Sequence, residues 1–256
     1  MSDEVLYDVD GRVATITLNR PDQRNAVDPA LAAALDAVME RFEADPEVWV
    51  ALLTGAGSTF CAGADLKALA AGRGAELASE RGGFAGFVRY PRTKPVIAAV
   101  RGPALAGGTE LVLTCDLVVA SSSSVFGLPE VTRGIVAAAG GLFRLPRALP
   151  RARALELILT GERLGADEAL RHGMVNAVVP DEQVLTTART LAERICANAP
   201  VAVRESLALA RDAYEIDEEQ GWRRSSEAME RIRSTDDARE GPRAFAEKRA
   251  PVWTGR

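Results

Sequence analysis

The chain has 256 residues, of which 47% are hydrophobic and 26% charged, with a formal net charge of −5. That apolar content supplies a sizeable core and excludes a disordered chain. The acidic balance, with no basic run to neutralise phosphates, argues against nucleic acid as a partner. A single histidine, His172, and three cysteines, Cys61, Cys115 and Cys196, with no two at ligand spacing, argue against a metal site and a Ser-His-Asp triad. An odd set of thiols fits a reducing compartment. The stretch Met1 to Asp10 is too acidic for a signal peptide, and no apolar run reaches the ~18 residues of a membrane span. The expected product is soluble and cytoplasmic, with no membrane partner.

In chain order, "VATITL" (13–18) is short, β-branched and bounded by Gly11 and Pro21, so it reads as a strand. Residues 29–43 repeat apolar positions at helical spacing, with Asp28 as N-cap and Pro29 in the first turn. "VWVALLTG" (48–55), "PVIAAVRG" (95–102) and "DLVVAS" (116–121) read as buried strands, and a helix is expected over 108–115. This alternation predicts an α/β layer fold. Beyond about residue 145 the pattern becomes mostly helical: 150–160, 166–172, 181–198, 200–214 and 218–233, with one strand at 174–179. An α/β core over 1–200 therefore carries a helical region over 201–256. The tail "REGPRAFAEKRAPVWTGR" reads either as a frayed end or as a docked one, because its aromatic residues need cover.

Three stretches carry residues suited to chemistry. In "STFCAGADLKAL" (58–69), the small residues Cys61 to Ala64 let a backbone approach a ligand, Gly63 tolerates positive φ, and Asp65 caps the helix starting at Leu66. Bare amides in such a turn bind an oxygen bearing negative charge; an ordinary strand–turn–helix connection has the same composition. In "PALAGGTELVLTCDLVVAS" (103–121), Gly107 and Gly108 open a helix, and Glu110 falls in its first turn. A helix-start acid is common, yet these flanks offer almost no solvated face, and a buried lone carboxylate is costly or becomes protonated. In "VFGLPEVTRGIVAAAGGLFRL" (125–145), Glu130 follows Pro129 and by itself reads as a turn acid beside Arg133. Together, Glu110 and Glu130 form a pair able to hold one water and divide acid and base roles between them.

In this order, these stretches resemble the crotonase superfamily of enoyl-CoA hydratases and isomerases. The resemblance starts at "LNRPDQRNAVDPAL" (18–31), runs through the three stretches above and "LTGERLGADEALRHGMVNAVV" (159–179), and ends in "STDDAREGPRAFAEKRAPVWTGR" (234–256). It implies a spiral of ββα turns with a helical C-terminal region that builds homotrimers, often paired as hexamers. It also implies an acyl-CoA thioester ligand, with coenzyme A as part of the substrate and no separate cofactor. By position, the amides of Ala64 and Gly107 become the oxyanion hole. Glu110 activates water for attack at C3 of a trans-2-enoyl-CoA, and Glu130 supplies the proton to C2. Arg24, Ala26, Ala62, Gly63, Asp65, Leu66, Gly108, Pro129 and Lys248 fall along the path of the coenzyme and thioester, with Lys248 reaching a neighbouring subunit's nucleotide. For Arg24 and Lys248 a solvated surface charge is an equally good reading.

The resemblance therefore implies an enoyl-CoA hydratase, a hydro-lyase. The alternatives are an isomerase, a specialised dehydratase of the carnitinyl-CoA kind, or a non-catalytic acyl-CoA-binding protein. One departure bears on the acyl pocket. Where the family often has P-x-x-G-G-T-Q-R-L, this chain reads "AAAGGLFRL", with Ala137, Leu142 and Phe143. Phe84, Phe87 and Tyr90 are candidates for the wall of the acyl tunnel.

Overall fold

The structure is a computed structural model and describes residues 3–256. Strand β1 (Val5–Asp10) turns through Gly11 into β2 (Val13–Leu18), an antiparallel pair whose first member the sequence reading did not include. Helix α1 (Pro29–Ala44) follows; the Asp28 side chain accepts from Leu31 N, as its N-cap position predicts. Next come β3 (Val50–Gly55), the short α2 (Leu66–Ala70) and a small hairpin of β4 (Ala78–Ser79) and β5 (Gly83–Phe84). Strands β6 (Val96–Val100) and β7 (Pro103–Leu105) precede α3 (Gly107–Thr114), then β8 (Leu117–Ser121) and β9 (Val125–Gly127). Helices α4 (Gly141–Ala148) and α5 (Arg151–Thr160), β10 (Leu164–Gly165), α6 (Ala166–Arg171) and β11 (Ala177–Val179) complete the layered part. The remainder is helical: α7 (Val184–Cys196), α8 (Pro200–Arg211), α9 (Glu218–Arg233) and α10 (Asp236–Ala246).

The main sheet has the order β1-β2-β3-β6-β8-β11 and is parallel from β2 onward. Parallel strands are covered on both faces, which explains why β6 is buried along its whole length and β3 along its first four residues. One face packs Ile16, Leu53 and Ala98 against Leu35 and Phe42 of α1. The other packs Leu52, Ile97 and Val119 against Ala188 and Ala192 of α7.

A second, smaller sheet runs β10-β9-β7 and continues by single bridges, Cys61 to Ala104 and Val27 to Ala64. The chain therefore repeats one motion. It runs along a main strand, steps sideways into the small sheet, and enters a helix. This is the ββα spiral of the crotonase fold. Each small-sheet segment ends where a helix begins, so helix starts line up beside one another.

The tail after α10 is docked. Buried Asp237 accepts from Thr254 N (2.8 Å) and Gly255 N (3.0 Å), and Trp253 Nε1 donates to Ala197 O (2.8 Å). Of the two readings of the tail, docking is the one observed. Helix α9, in contrast, buries no side chain. Among the described residues no helix is long and apolar enough to cross a membrane.

Candidate functional site

The turn after β3 is held from both sides. Val27 N donates to Gly63 O and Asp65 N to Val27 O, both at 2.8 Å, which leaves the amide between them, that of Ala64, without an acceptor among the described residues. On the other side, Leu105 N donates to Cys61 O (3.0 Å) and Phe60 N to Pro103 O (3.0 Å). Gly63 sits at φ +91°, and a methyl group on it would lie 3.0 Å from Gly107 N. The two glycine turns are thus side by side, as the reading of two amides on one oxygen requires.

Helix α3 begins at Gly107 after an unusual residue. Ala106 has φ 54° and ψ −128°, a backbone conformation costing a non-glycine residue on the order of 1–3 kcal/mol. Surrounding bonds enforce it. Ala106 N donates to Gly127 O (2.9 Å), and the Thr109 hydroxyl, fully buried, donates to Ala104 O (2.6 Å) and accepts from Gly127 N (2.9 Å). The Gly107 amide has no acceptor among the described residues. A methyl group on Gly107 would lie 2.5 Å from the Phe84 ring, and one on Gly108 would overlap Cys61 O. Gly108 is therefore needed for the contact between neighbouring turns.

Both acids are buried: Glu110 is 3% exposed and Glu130 7%. Glu110 stands in the first turn of α3, and its Oε1 accepts from Gly141 N at 2.9 Å, a partner the sequence reading did not supply. Glu130 lies in the 3₁₀ turn Pro129–Arg133, and its Oε2 has no hydrogen-bond partner among the described residues. Burial pushes the Glu110 carboxyl up to about 7; the nearby charge of Glu130 adds to this, while the amides of Gly141 and Ala139 and the Arg144 guanidinium act against it. Burial also raises Glu130. Because the charge of Glu130 reaches Glu110, the two carboxyls share one electrostatic environment.

The other candidates separate into roles. Asp65 caps α2 by accepting from Lys67 N (2.9 Å) and pairs with Arg20 Nη1 (3.4 Å). Burial acts to raise its carboxyl, but those amides and Arg20 outweigh it and hold it below the usual range. Arg20 was not among the site candidates, although "NRP" contains it. Its guanidinium also meets Asp28 (3.1 Å) and Ala26 O (2.5 Å), tying the 20–28 loop to the Ala64 turn. Arg24 O accepts from Ala62 N (3.0 Å), whereas the Arg24 side chain is exposed, as are Leu66 and Lys248. Phe87 belongs wholly to the core and Tyr90 nearly so; of the three tunnel candidates only Phe84 approaches the glycine turns. Phe143 is 54% exposed and stacks near Arg144 and Arg147.

Residues 8–256 match the family model described as enoyl-CoA hydratase/isomerase. Carnitinyl-CoA dehydratases of Salmonella typhi and Proteus mirabilis are each 42% identical to this chain over the full length of both proteins. A crystal structure of an enoyl-CoA hydratase from Mycobacterium tuberculosis superposes over the full length of both chains with a TM-score of 0.95 at 44% identity. A carnitinyl-CoA hydratase from Mycobacterium avium, also covered completely, gives a TM-score of 0.76 at 48% identity.

Proposed function

This chain belongs to the enoyl-CoA hydratase/isomerase family, and from that premise we propose that it adds water reversibly to a trans-2-enoyl-CoA, giving a 3-hydroxyacyl-CoA. The observation that carries this reading is the pair of buried carboxyls, Glu110 and Glu130, within electrostatic reach of each other beside two amides that have no acceptor of their own. Binding alone does not need two desolvated acids, each of which makes the fold less stable when ionised.

In the proposed reaction, the amides of Ala64 and Gly107 bind the thioester oxygen and stabilise the negative charge that develops there. Each such donor contributes ~2.7–4 kcal/mol to the transition state in known cases. In the reactive form Glu110, whose carboxyl burial pushes up to about 7, has lost its proton, and Glu130 carries one. Ionised Glu110 orients a water and takes its proton as the oxygen bonds to C3. Glu130 delivers its proton to C2, on the same face. The proton gained by Glu110 then returns to Glu130, which restores the starting state. Dehydration is the same path reversed. The coenzyme would run past Ala26, Ala62, Gly63, Asp65 and Leu66, with Arg24 and a neighbour's Lys248 near its phosphates and Pro129 and Gly108 flanking the thioester. Three copies of the chain, or two such trimers, would form the working particle.

A second reading is favoured by the 42% relatives: dehydration of a carnitinyl-type hydroxyacyl-CoA in the same site. Both readings use the same acids and differ in the acyl group. Purified protein mixed with crotonyl-CoA is expected to remove the conjugated-thioester absorbance, with a mass gain of one water in the product. An unchanged mass with a moved double bond would replace hydration by isomerisation. Binding without turnover across short, branched and polar enoyl-CoAs would overturn the catalytic reading.

A further inference from the structure

Behind Glu110 lies a cation for which the proposed chemistry has no direct use. Arg144, in α4, forms no ion pair with a carboxylate within 4 Å among the described residues. Its guanidinium is spent on neutral acceptors from three segments. Nη1 donates to Thr114 Oγ1 at the end of α3 (2.8 Å) and to Ala139 O (3.3 Å), and Nη2 donates to Val88 O (2.8 Å). Gly140, at φ +111°, leaves the room: a methyl group there would overlap Arg144 Nη1. The segment so gripped, 139–141, is the one whose amides hold the Glu110 carboxylate, Gly141 N at 2.9 Å. Thr114 Oγ1 in turn donates to Glu110 O (2.8 Å), so Arg144 is linked to Glu110 through both of its supports.

We propose that Arg144 is a positioning residue for Glu110: it clamps the 139–141 turn against α3, so that two amides meet the carboxylate, and it places a positive charge behind that carboxylate. The proposal rests on the hydratase reading for its kinetic consequences, though not for its structural ones. The charged and titratable groups around Arg144 are Glu110 and Cys115 from α3 and its end, Arg92 from the preceding segment, and Arg147 from its own helix; Glu130 faces Glu110 from the 3₁₀ turn. Of the groups acting on Glu110, Arg144 is the cation, so its removal leaves burial and Glu130 less opposed.

The test compares wild type with Arg144→Gln, Arg144→Lys and Thr114→Val. Two readouts are used: hydration kinetics against pH, and carbon-13 NMR titration of Glu110 in the free, folded protein. Arg144→Gln is expected to lower kcat about 10- to 100-fold, with KM changed less than about 3-fold, because the base is displaced rather than the ligand. It is also expected to move the Glu110 titration upward by about half a unit or more. Arg144→Lys keeps the charge and is expected to hold the titration near wild type while restoring only part of kcat. Thr114→Val, the mildest change, removes one hold and is expected to lower kcat less than Arg144→Gln. A folded Arg144→Gln with unchanged titration and unchanged kcat overturns the proposal. Should the wild type turn over no enoyl-CoA, the hydratase reading fails and the titration alone decides: a shift supports the clamp, and none overturns it.

Discussion

Glu110 is where folding and chemistry pull in opposite directions. A carboxyl whose folded-state pKa stands above its unfolded value keeps its proton after the unfolded chain has lost it. Its contribution to stability is therefore present at low pH and is lost as pH rises toward the raised value. For Glu110 that window runs from the ordinary carboxylate range to about 7, and the loss across it is about 3 kcal/mol. Glu110→Gln keeps the oxygen that accepts from Gly141 N. It is expected to raise the melting temperature more at pH 8 than at pH 5 and to lower hydration about 10²–10⁴-fold; calorimetry at the two pH values and a crotonyl-CoA assay check this. Because Glu110 must be ionised to take the proton from water, the wild-type kcat/KM profile is expected to rise as pH increases through about 7. A second residue-scale outcome concerns Gly107. Gly107→Ala drives a methyl group into the Phe84 ring, and it is expected to cut kcat/KM at least about 10-fold by tilting its amide off the oxyanion position. Pairing it with Phe84→Ala relieves the overlap and is expected to recover part of the loss in the same assay.

At the scale of elements, the long periodic segments were readable and the short ones were not. Strand β2 and helix α9 appear with the bounds their patterns predict, and α1 differs by one residue at its end. Strands β9 and β10, of three and two residues, are too brief to show alternation, and helix α4 carries Pro146 inside it, which argues against a helix when only the sequence is in view. Helix α10 also contains a proline, Pro242, and most of it lies in the stretch whose composition reads as tail. The site divides along the same line. Glu110, Glu130 and the glycine turns stand out because acids and glycines are conspicuous in apolar surroundings. Arg20, Gly141 and Arg144 do not, because what they hold, Asp65, Glu110 and the Ala139 carbonyl, lies 31 residues away or more, or turns on a backbone atom. Hydrogen bonds to main-chain atoms have no side-chain signature in the partner, so composition around the accepting residue is silent about them.

For the whole molecule, large uncovered apolar side chains cluster in two places, the 131–143 stretch and the C-terminal helices. Tyr214, Trp222, Met229 and Phe245 are each more than half exposed, and Trp222 borders an apolar groove of about 690 Å³ with Leu209, Ala213 and Ile216. A helix with no buried side chain does not gain its stability from the chain's own core. We expect the protein to sediment at three or six times the mass of one chain, and Trp222→Glu to shift it toward the single chain without loss of secondary structure. A wild type that sediments as one chain at micromolar concentration rules this out.

The two acceptor-free amides come from consecutive coils of the spiral, one ending at Ala64 and the next at Gly107, and the main-chain bonds from Phe60 to Pro103 and from Leu105 to Cys61, with the close pass of Gly108 over Cys61 O, fix the spacing of those coils. The pitch of the coil is thus the gauge of the proposed anion hole. Its width is set by main-chain spacing, so a substitution that pries these two coils apart along their seam is expected to retune the proposed hole without touching either amide.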